Sequence, residues 1–171
     1  FDLKLTALLG NAHHRNRMIE IMQAYGVQTI YHAAAYKHVP LVEHNVIAGI
    51  HNNVLSTWHA AEAALACNVE KFVLISTDKA VNPTNVMGAT KRIAELMVIA
   101  LARESDHTKF VAVRFGNVMG SRGSAPLTFM RQIERGGPVT ITHPDMMRYF
   151  ISIPEAVSLV IQAGTFGGGG N

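Results

Sequence analysis

The chain has 171 residues, 49% of them hydrophobic and 16% charged, which suits one globular domain with a hydrophobic core. Its formal net charge of +3 comes from scattered basic residues without a Lys/Arg-rich run, and this pattern argues against nucleic-acid binding. The single cysteine, Cys67, excludes an internal disulfide and a multi-cysteine metal cluster, and it fits a reducing compartment.

The sequence shows no sign of membrane insertion. The first residues, Phe-Asp-Leu-Lys-Leu, lack the basic and apolar regions of a signal peptide. No uncharged apolar run approaches the ~20 residues that a membrane span needs. We therefore expect a cytoplasmic domain.

Short β-branched runs alternate with longer segments of helical periodicity, a pattern typical of βαβ units and a parallel sheet. Strands are predicted near residues 4 to 9, 27 to 34, 71 to 76, 109 to 115 and 139 to 142. Helices are predicted near residues 14 to 25, 41 to 67, 84 to 104, 125 to 135 and 153 to 164. The runs KFVLIS and KFVAVRF are continuously apolar, so they are predicted as central strands covered by helices on both faces.

The last helix has the clearest start. Ser152 and Glu155 form a capping box, with a proline in the first turn. We expect residues 1 to 166 to form one domain. The glycine-rich tail, residues 167 to 171, has no apolar side chain to bury and is expected to be disordered.

Polar residues follow the strand predicted at 71 to 76. Ligands of open α/β sheets bind at the carboxyl ends of the strands, so Ser76 to Lys79 stand where chemistry is expected. Asp78 and Lys79 offer a proton donor and acceptor, although an ordinary polar turn with a solvated ion pair is equally compatible. Met87 and Lys91 share a helix face. For Lys91 alone, a solvated helix face is the simpler interpretation.

Five blocks in one order carry a family resemblance: YHAAAYKHVP from residue 31, STDKAVNP from 76, MGATKR from 87, RFGNV from 114 and THPDMMRYF from 142. They resemble the C5-inverting UDP-N-acetylglucosamine 4,6-dehydratases of bacterial surface polysaccharide and glycan pathways. These enzymes are extended short-chain dehydrogenases. The resemblance implies a Rossmann-like α/β fold with a doubly wound parallel sheet.

The resemblance also implies catalytic roles. The family usually carries Tyr-x-x-x-Lys, but this chain has Met87 and Lys91 at those positions, as in the larger membrane-anchored branch. A thioether cannot exchange a proton, so another group must do so. The candidates are Thr77, Asp78 and Lys79, which match the family's Thr-Asp-Lys catalytic run. By analogy Lys79 is the base at C5 and Asp78 is the acid at the C6 hydroxyl. These roles require a neutral lysine and a protonated aspartate.

The implied cofactor is NAD or NADP, tightly bound and recycled. Its expected contacts are Lys91 at the nicotinamide ribose, the small residues Ala33, Ala34 and Ala35, and Asn11 on the adenine side. The implied substrate is a UDP-sugar. Its expected contacts are Lys37, His38, Asn117, Ser121, Arg122, His143 and Arg148. Arg148 is assigned to the diphosphate because guanidinium matches phosphate oxygens, whereas without the resemblance it would be a surface arginine.

Nine histidines raise the question of a metal site. No His-Glu-x-x-His motif or tight ligand set occurs, so no metal is expected.

The sequence departs from the family at the dinucleotide-binding turn. The Gly-x-x-Gly-x-x-Gly fingerprint that should follow a first strand is missing, and Gly10 and Gly26 do not supply it. We therefore expect a fragment truncated at both ends, without the first two strands and the C-terminal substrate part. The full-length protein is expected to be a homo-oligomer, reaching the cytoplasmic face of the inner membrane only through a missing N-terminal region. A nucleotide-sugar 4-epimerase and a non-catalytic scaffold remain as alternatives.

Overall fold

The computed structural model describes residues 3–121, 123–141 and 143–168. Its main sheet has three parallel strands in the order β1-β2-β3, which are β1 Thr29–His32, β2 Lys71–Ile75 and β3 Lys109–Val113. The middle strand carries the fully buried run of Phe72, Val73 and Leu74. This confirms the α/β class and the prediction of a central apolar strand at 71 to 76, whereas β3, also predicted to be central, lies at the edge of the described sheet.

Helices cover both faces of this sheet. The helices of the described residues are α1 Arg15–Tyr25, α2 Val39–Glu43, α3 Val46–Ile50, a π-helical turn His51–Leu55, α4 Ser56–Ala66, α5 Val86–Glu104, α6 Ala125–Glu134 and α7 Ile153–Phe166. The largest buried cluster joins α1, α4 and α5 to the sheet face that carries Phe72, Leu74 and Phe110. The opposite face meets α7, where Tyr31 packs against Gly164 and Val111 packs against Gly167. The sheet is therefore doubly wound, as predicted.

Two predicted strands are wrong among the described residues. Residues 4 to 9 form no strand, and Leu5 and Leu9 are 89% and 97% exposed. An apolar run becomes a strand only when a neighbouring strand pairs with it, and no described strand lies beside this one. Residues 139 to 141 are also irregular, because Gln132 binds the backbone N–H and hydroxyl of Thr140 in place of a ladder. Thr142 lies outside the described residues.

A second, small parallel sheet was not predicted. It pairs β4 Asn117–Val118 with β5 Phe150–Ile151. Gly116, just before β4, allows this pairing, because a Cβ there would collide with the backbone of Tyr149. The sheet ties the loop after β3 to the segment before α7.

The helix predicted at 41 to 67 is divided. Asn45 donates its side-chain amide to the Leu41 carbonyl at 2.9 Å, and this local bond competes with continuation of α2. Further on, Asn53 lies in the π-helical turn and is fully buried. Periodicity alone does not reveal a π turn, since it widens the helix by one residue without changing composition.

The start of α7 agrees with the prediction. Ser152 Oγ accepts from the Glu155 N–H at 3.3 Å, and Glu155 Oε2 accepts from the Ser152 N–H at 2.8 Å. Residues 169 to 171 lie outside the described part, so disorder of the tail stays a prediction. No helix in the described ranges is long and apolar enough to cross a bilayer.

Candidate active site

The carboxyl ends of β1, β2 and β3 meet at one edge of the sheet, and a cavity of about 500 Å³ opens there. Segments after all three strands line it, together with the start of α5. The predicted site residues among its lining are Ala33, Ala35, Lys37, His38, Thr77, Lys79, Met87, Lys91, Asn117 and Ser121. Most of the predicted site thus assembles where ligands bind in open α/β sheets.

The loop after β2 holds the proposed catalytic run in a fixed turn. Thr77 caps a short 3-10 helix, Asp78–Ala80, by accepting from the Lys79 N–H at 3.4 Å. Its hydroxyl also donates to Asp78 Oδ1 at 3.0 Å. The Asp78 N–H donates to the Phe115 carbonyl at 3.1 Å, which ties this loop to the one after β3.

Lys79 lies between two acceptors. Its Nζ is 3.0 Å from Asp78 Oδ1 and 2.8 Å from Asn117 Oδ1. Burial alone would raise the pKa of Asp78, but the Lys79 and Thr77 hydrogen bonds and the Lys79 charge outweigh it and hold the pKa below its ordinary value. This direction favours the carboxylate form of Asp78, whereas the acid role implied by the resemblance needs the protonated form.

Lys91 is buried rather than solvated, which corrects the simpler interpretation of its helix face. The residue is 5% exposed, and its Nζ donates to the Ile75 carbonyl at 2.7 Å. Burial lowers the pKa of Lys91 to about 8, while the Glu95 carboxylate acts in the opposite direction. Met87, one turn earlier, is also buried and offers no exchangeable proton.

Two small residues after β1 line the cavity. Ala33 and Ala35 have only a methyl group as a side chain, which leaves room for a ligand such as a ribose or phosphate to approach the backbone. Lys91 carries three N–H donors, of which the Ile75 carbonyl takes one. Asn11 is not among the cavity's lining residues: its Oδ1 accepts from the His13 N–H at 2.9 Å just before α1. Ala34 and Asp78 are also absent from the lining, although Asp78 contacts the lining residue Lys79.

The predicted substrate contacts divide into two groups. Lys37 reaches Ser121 across the cavity mouth, with Nζ to Oγ at 3.4 Å. Arg148 and His143 lie elsewhere, on an exposed irregular segment. Arg148 donates to the neighbouring Met147 carbonyl at 2.7 Å, and His143 accepts from the Asp145 N–H at 3.2 Å. In this arrangement neither lines the cavity.

His38 packs against the loop beyond β4, where a Cβ on Gly123 would collide with its ring. Arg122, the neighbouring predicted contact, lies outside the described residues. In the described ranges, no group of three or more His, Cys, Asp or Glu side chains could hold a metal ion.

Sequence analysis missed a polar network beneath the site. Glu95, 1% exposed, accepts from Ser76 Oγ at 2.5 Å, from Arg114 Nε at 2.7 Å and from Arg92 Nη1 at 3.1 Å. Burial would raise the pKa of Glu95, but hydrogen bonds from Arg114, Ser76 and Arg92 keep it below the ordinary value. The only signal in the sequence is that Glu95 falls one turn after Lys91, on the same helix face.

Asn53 was missed as well. Its Oδ1 accepts from the Tyr36 N–H at 2.7 Å, and its Nδ2 donates to the Tyr36 carbonyl at 3.0 Å and to Thr90 Oγ1 at 3.0 Å. Asn53 thereby holds the segment after β1 against α5.

A family model described as "Polysaccharide biosynthesis protein" matches residues 1–171. Capsular polysaccharide biosynthesis protein CapD of Staphylococcus aureus is 54% identical over 98% of this chain and 28% of its own length. Probable polysaccharide biosynthesis protein EpsC of Bacillus subtilis is 56% identical over 94% of this chain and 27% of its own. A UDP-glucose 4-epimerase of Rickettsia rickettsii is 40% identical over 98% of this chain and 49% of its own.

Solved structures share the fold. Pen from Bacillus thuringiensis superposes with a TM-score of 0.92 at 34% identity, covering 99% of this chain and 52% of that one. MoeE5 in complex with UDP-glucose and NAD has a TM-score of 0.80 at 24% identity, a likeness of fold alone, and covers 92% of this chain and 58% of that one. The chain thus spans between about a quarter and somewhat over half of the length of these relatives.

Proposed function

The chain belongs to the polysaccharide biosynthesis protein family, and on that premise we propose that it is an extended short-chain dehydrogenase/reductase carrying the catalytic residues of a nucleotide-sugar 4,6-dehydratase. The proposed substrate is UDP-N-acetylglucosamine, and the proposed product is its 4-keto-6-deoxy derivative. The activity is that of the full-length protein.

One observation carries this proposal. The Lys79 amine lies 3.0 Å from Asp78 Oδ1 and 2.8 Å from Asn117 Oδ1 at the cavity, whereas the position four residues before Lys91 holds the buried Met87. An enzyme that only oxidises and reduces C4 needs one proton-exchanging group. Loss of water across C5 and C6 needs a base and an acid side by side, as Lys79 and Asp78 are.

A bound nicotinamide cofactor would supply the redox chemistry, accepting the C4 hydride and returning it at C6. Lys91 is proposed to hold the ribose with the N–H donors that Ile75 leaves unused, and Ala33 and Ala35 to leave room for it. This supports NAD or NADP as the cofactor.

The Asp78 carboxylate is proposed to act twice. It first takes the proton of the C4 hydroxyl as the C4 hydride leaves, so that C4 becomes a carbonyl. Now protonated, Asp78 gives that proton to the C6 hydroxyl, which departs as water. The low pKa of Asp78 at rest is therefore compatible with a later acid role, because the substrate itself supplies the proton.

Lys79 is proposed to remove the C5 proton. The C4 carbonyl makes that hydrogen acidic, and the electrons of the C5–H bond form the C5–C6 double bond as water leaves. Lys79 must be neutral for this step. C5 then regains a proton as the hydride reaches C6, and Lys79 gives up the proton it took, so that both side chains return to their starting forms.

Residues at the cavity mouth are proposed to hold the nucleotide sugar. Lys37, His38 and Ser121 all line the cavity, and Lys37 Nζ lies 3.4 Å from Ser121 Oγ. Arg148 keeps the diphosphate role only as a proposal that requires the segment before β5 to change position, because its side chain now binds the Met147 carbonyl.

A nucleotide-sugar 4-epimerase is the second candidate. It is favoured by relatives named UDP-glucose 4-epimerase, of which that from Rickettsia rickettsii is 40% identical. Such an enzyme would share the C4 oxidation but would not lose water.

The test is mass spectrometry of UDP-N-acetylglucosamine after incubation with the full-length protein. The proposal expects the loss of one water without net consumption of cofactor. Isomerisation at constant mass would favour the epimerase, and no conversion would favour a non-catalytic scaffold.

A further inference from the structure

We propose that Glu95 is a positioning residue of the candidate active site: its buried carboxylate binds Ser76 and Arg114 and so fixes the Asp78–Lys79 loop relative to the loop carrying Asn117. The kinetic part of this proposal rests on the dehydratase function proposed above. The structural part does not.

Glu95 binds the residues that follow two neighbouring strands. Ser76 directly follows β2, and its Oγ donates to Glu95 Oε1 at 2.5 Å. Arg114 directly follows β3, and its Nε and Nη2 donate to the two carboxylate oxygens at 2.7 and 2.5 Å. A two-point guanidinium–carboxylate contact fixes orientation as well as distance.

These two strand ends lead into the loops that carry the candidate site residues. Asp78 and Lys79 begin two residues after Ser76, and Asn117 lies three residues after Arg114. The contact of 2.8 Å between Lys79 Nζ and Asn117 Oδ1 therefore joins two loops, and the residues at the start of both loops bind the Glu95 carboxylate. Glu95 itself does not line the cavity. Its effect on catalysis must pass through these neighbours.

Lys91 lies one turn before Glu95 on α5. Its Nζ binds the Ile75 carbonyl, so α5 holds the end of β2 at two successive residues. The Glu95 charge raises the pKa of Lys91 against the effect of burial. The other ionisable group coupled to Lys91 is His32 on β1, whose pKa burial lowers to about 4, so it is neutral near pH 7. Arg92 and Arg114 face Glu95 itself.

The experiment measures Lys91 directly in the full-length protein. Lysines are labelled with trace acetic anhydride across a pH series, and peptide mass spectrometry gives the pH at which Lys91 is half-reactive. Glu95→Gln is expected to lower that pH by about one unit, because a nearby opposite charge is lost. The control Glu104→Gln removes an exposed carboxylate near the end of the same helix and is expected to leave it unchanged.

The kinetic arm follows C4 hydride transfer in a single turnover, a step that dehydratase and epimerase share. Glu95→Gln is expected to lower its rate at least about tenfold with little change in the KM for the nucleotide sugar. Glu95→Asp keeps the charge but shortens the reach, so it should restore the Lys91 labelling profile without restoring the rate. A folded Glu95→Gln protein with wild-type rate and an unchanged Lys91 profile would overturn the proposal.

If Glu95→Gln does not fold, Ser76→Ala decides the matter, because it removes one hydrogen bond and keeps the buried charge. It is expected to slow hydride transfer with an unchanged Lys91 profile, and a wild-type rate would refute the positioning role. If the wild-type protein only isomerises the sugar, the dehydratase proposal fails, while the labelling arm still tests Glu95.

Discussion

The proposed proton transfers depend on two neighbouring residues, Asp78 and Lys79. Their place after a central strand was predictable from the apolar run before them. Their arrangement was not, because it depends on partners distant in the chain: Asn117 accepts from the Lys79 amine, and the Phe115 carbonyl accepts from the Asp78 N–H. Such contacts arise only once the sheet forms.

Replacement of either residue tests the proposed proton transfers. Lys79→Ala and Asp78→Asn in the full-length enzyme are each expected to abolish water loss, because one removes the base and the other the acid. Cofactor binding should survive, since Lys91 and the loop after β1 are untouched. Product mass spectra and calorimetric titration with NAD measure the two effects.

The matched controls are Lys109→Ala and Asp106→Asn, which change the same residue types at exposed positions. They are expected to keep wild-type turnover. Catalysis by Lys79→Ala or Asp78→Asn within tenfold of wild type would remove that residue from the mechanism.

His32 gives a pH prediction. Burial lowers the pKa of His32 to about 4 from 6.5, so between these values the unfolded chain binds a proton that the native state excludes. Stability must therefore fall as the pH falls through this window. The contribution of this one group to the free energy of unfolding should be about 2 kcal/mol smaller at pH 5 than at pH 8.

The measurement is urea denaturation of the full-length protein at both pH values. We expect the free energy of unfolding at pH 8 to exceed that at pH 5, and His32→Asn is expected to reduce this difference by about 2 kcal/mol. The control His44→Asn changes an exposed histidine and should reduce it little. Equal pH dependence in wild type and His32→Asn would show that His32 titrates normally in the native state.

At the element scale, the sequence predicted the long buried elements well. The strands at 71 to 76 and 109 to 115 and the helix at 84 to 104 agree with β2, β3 and α5 within two residues. The two-residue strands β4 and β5 are too short for any periodicity to appear. The predicted strand at 4 to 9 failed because alternation indicates a strand only when a partner is present.

The start of α5 packs closely against the loop that carries Lys79, and this contact can be tested. A Cβ on Gly88 would collide with the Lys79 carbonyl oxygen and lie 3.2 Å from Pro83 Cβ. Gly88→Ala should therefore push the Asp78–Ala80 turn away from the cavity and lower kcat at least about tenfold, although alanine favours the helix itself.

Steady-state kinetics and thermal unfolding of the full-length variant check this effect. The control Leu96→Ala alters the exposed face of the same helix and should keep wild-type kcat. Wild-type kcat in Gly88→Ala would mean that the turn yields without loss of function.

At the scale of the whole molecule, dinucleotide binding by the 171-residue chain alone should be weak. Among the described residues, no strand leads into a Gly-x-x-Gly-x-x-Gly turn that could hold a pyrophosphate at a helix N-terminus. Lys91 and the loop after β1 would contact only the nicotinamide side. We expect the isolated chain to bind NAD or NADP at best in the millimolar range, equivalent to about 4 kcal/mol.

Calorimetric titration of the isolated chain with each cofactor measures this affinity, with the full-length protein as the reference. Turnover by the isolated chain should be undetectable. Micromolar binding would show that the described cavity alone anchors the dinucleotide.

The proposed reaction can be followed with UDP-N-acetylglucosamine deuterated at C4 and the full-length protein. A dehydratase is expected to give a product that has lost one water and carries the deuterium at C6, and Lys79→Ala is expected to give no such product. Deuterium that stays at C4 of the product, or that is found at C4 of an isomer of unchanged mass, would contradict the proposal that Asp78 and Lys79 catalyse a dehydration.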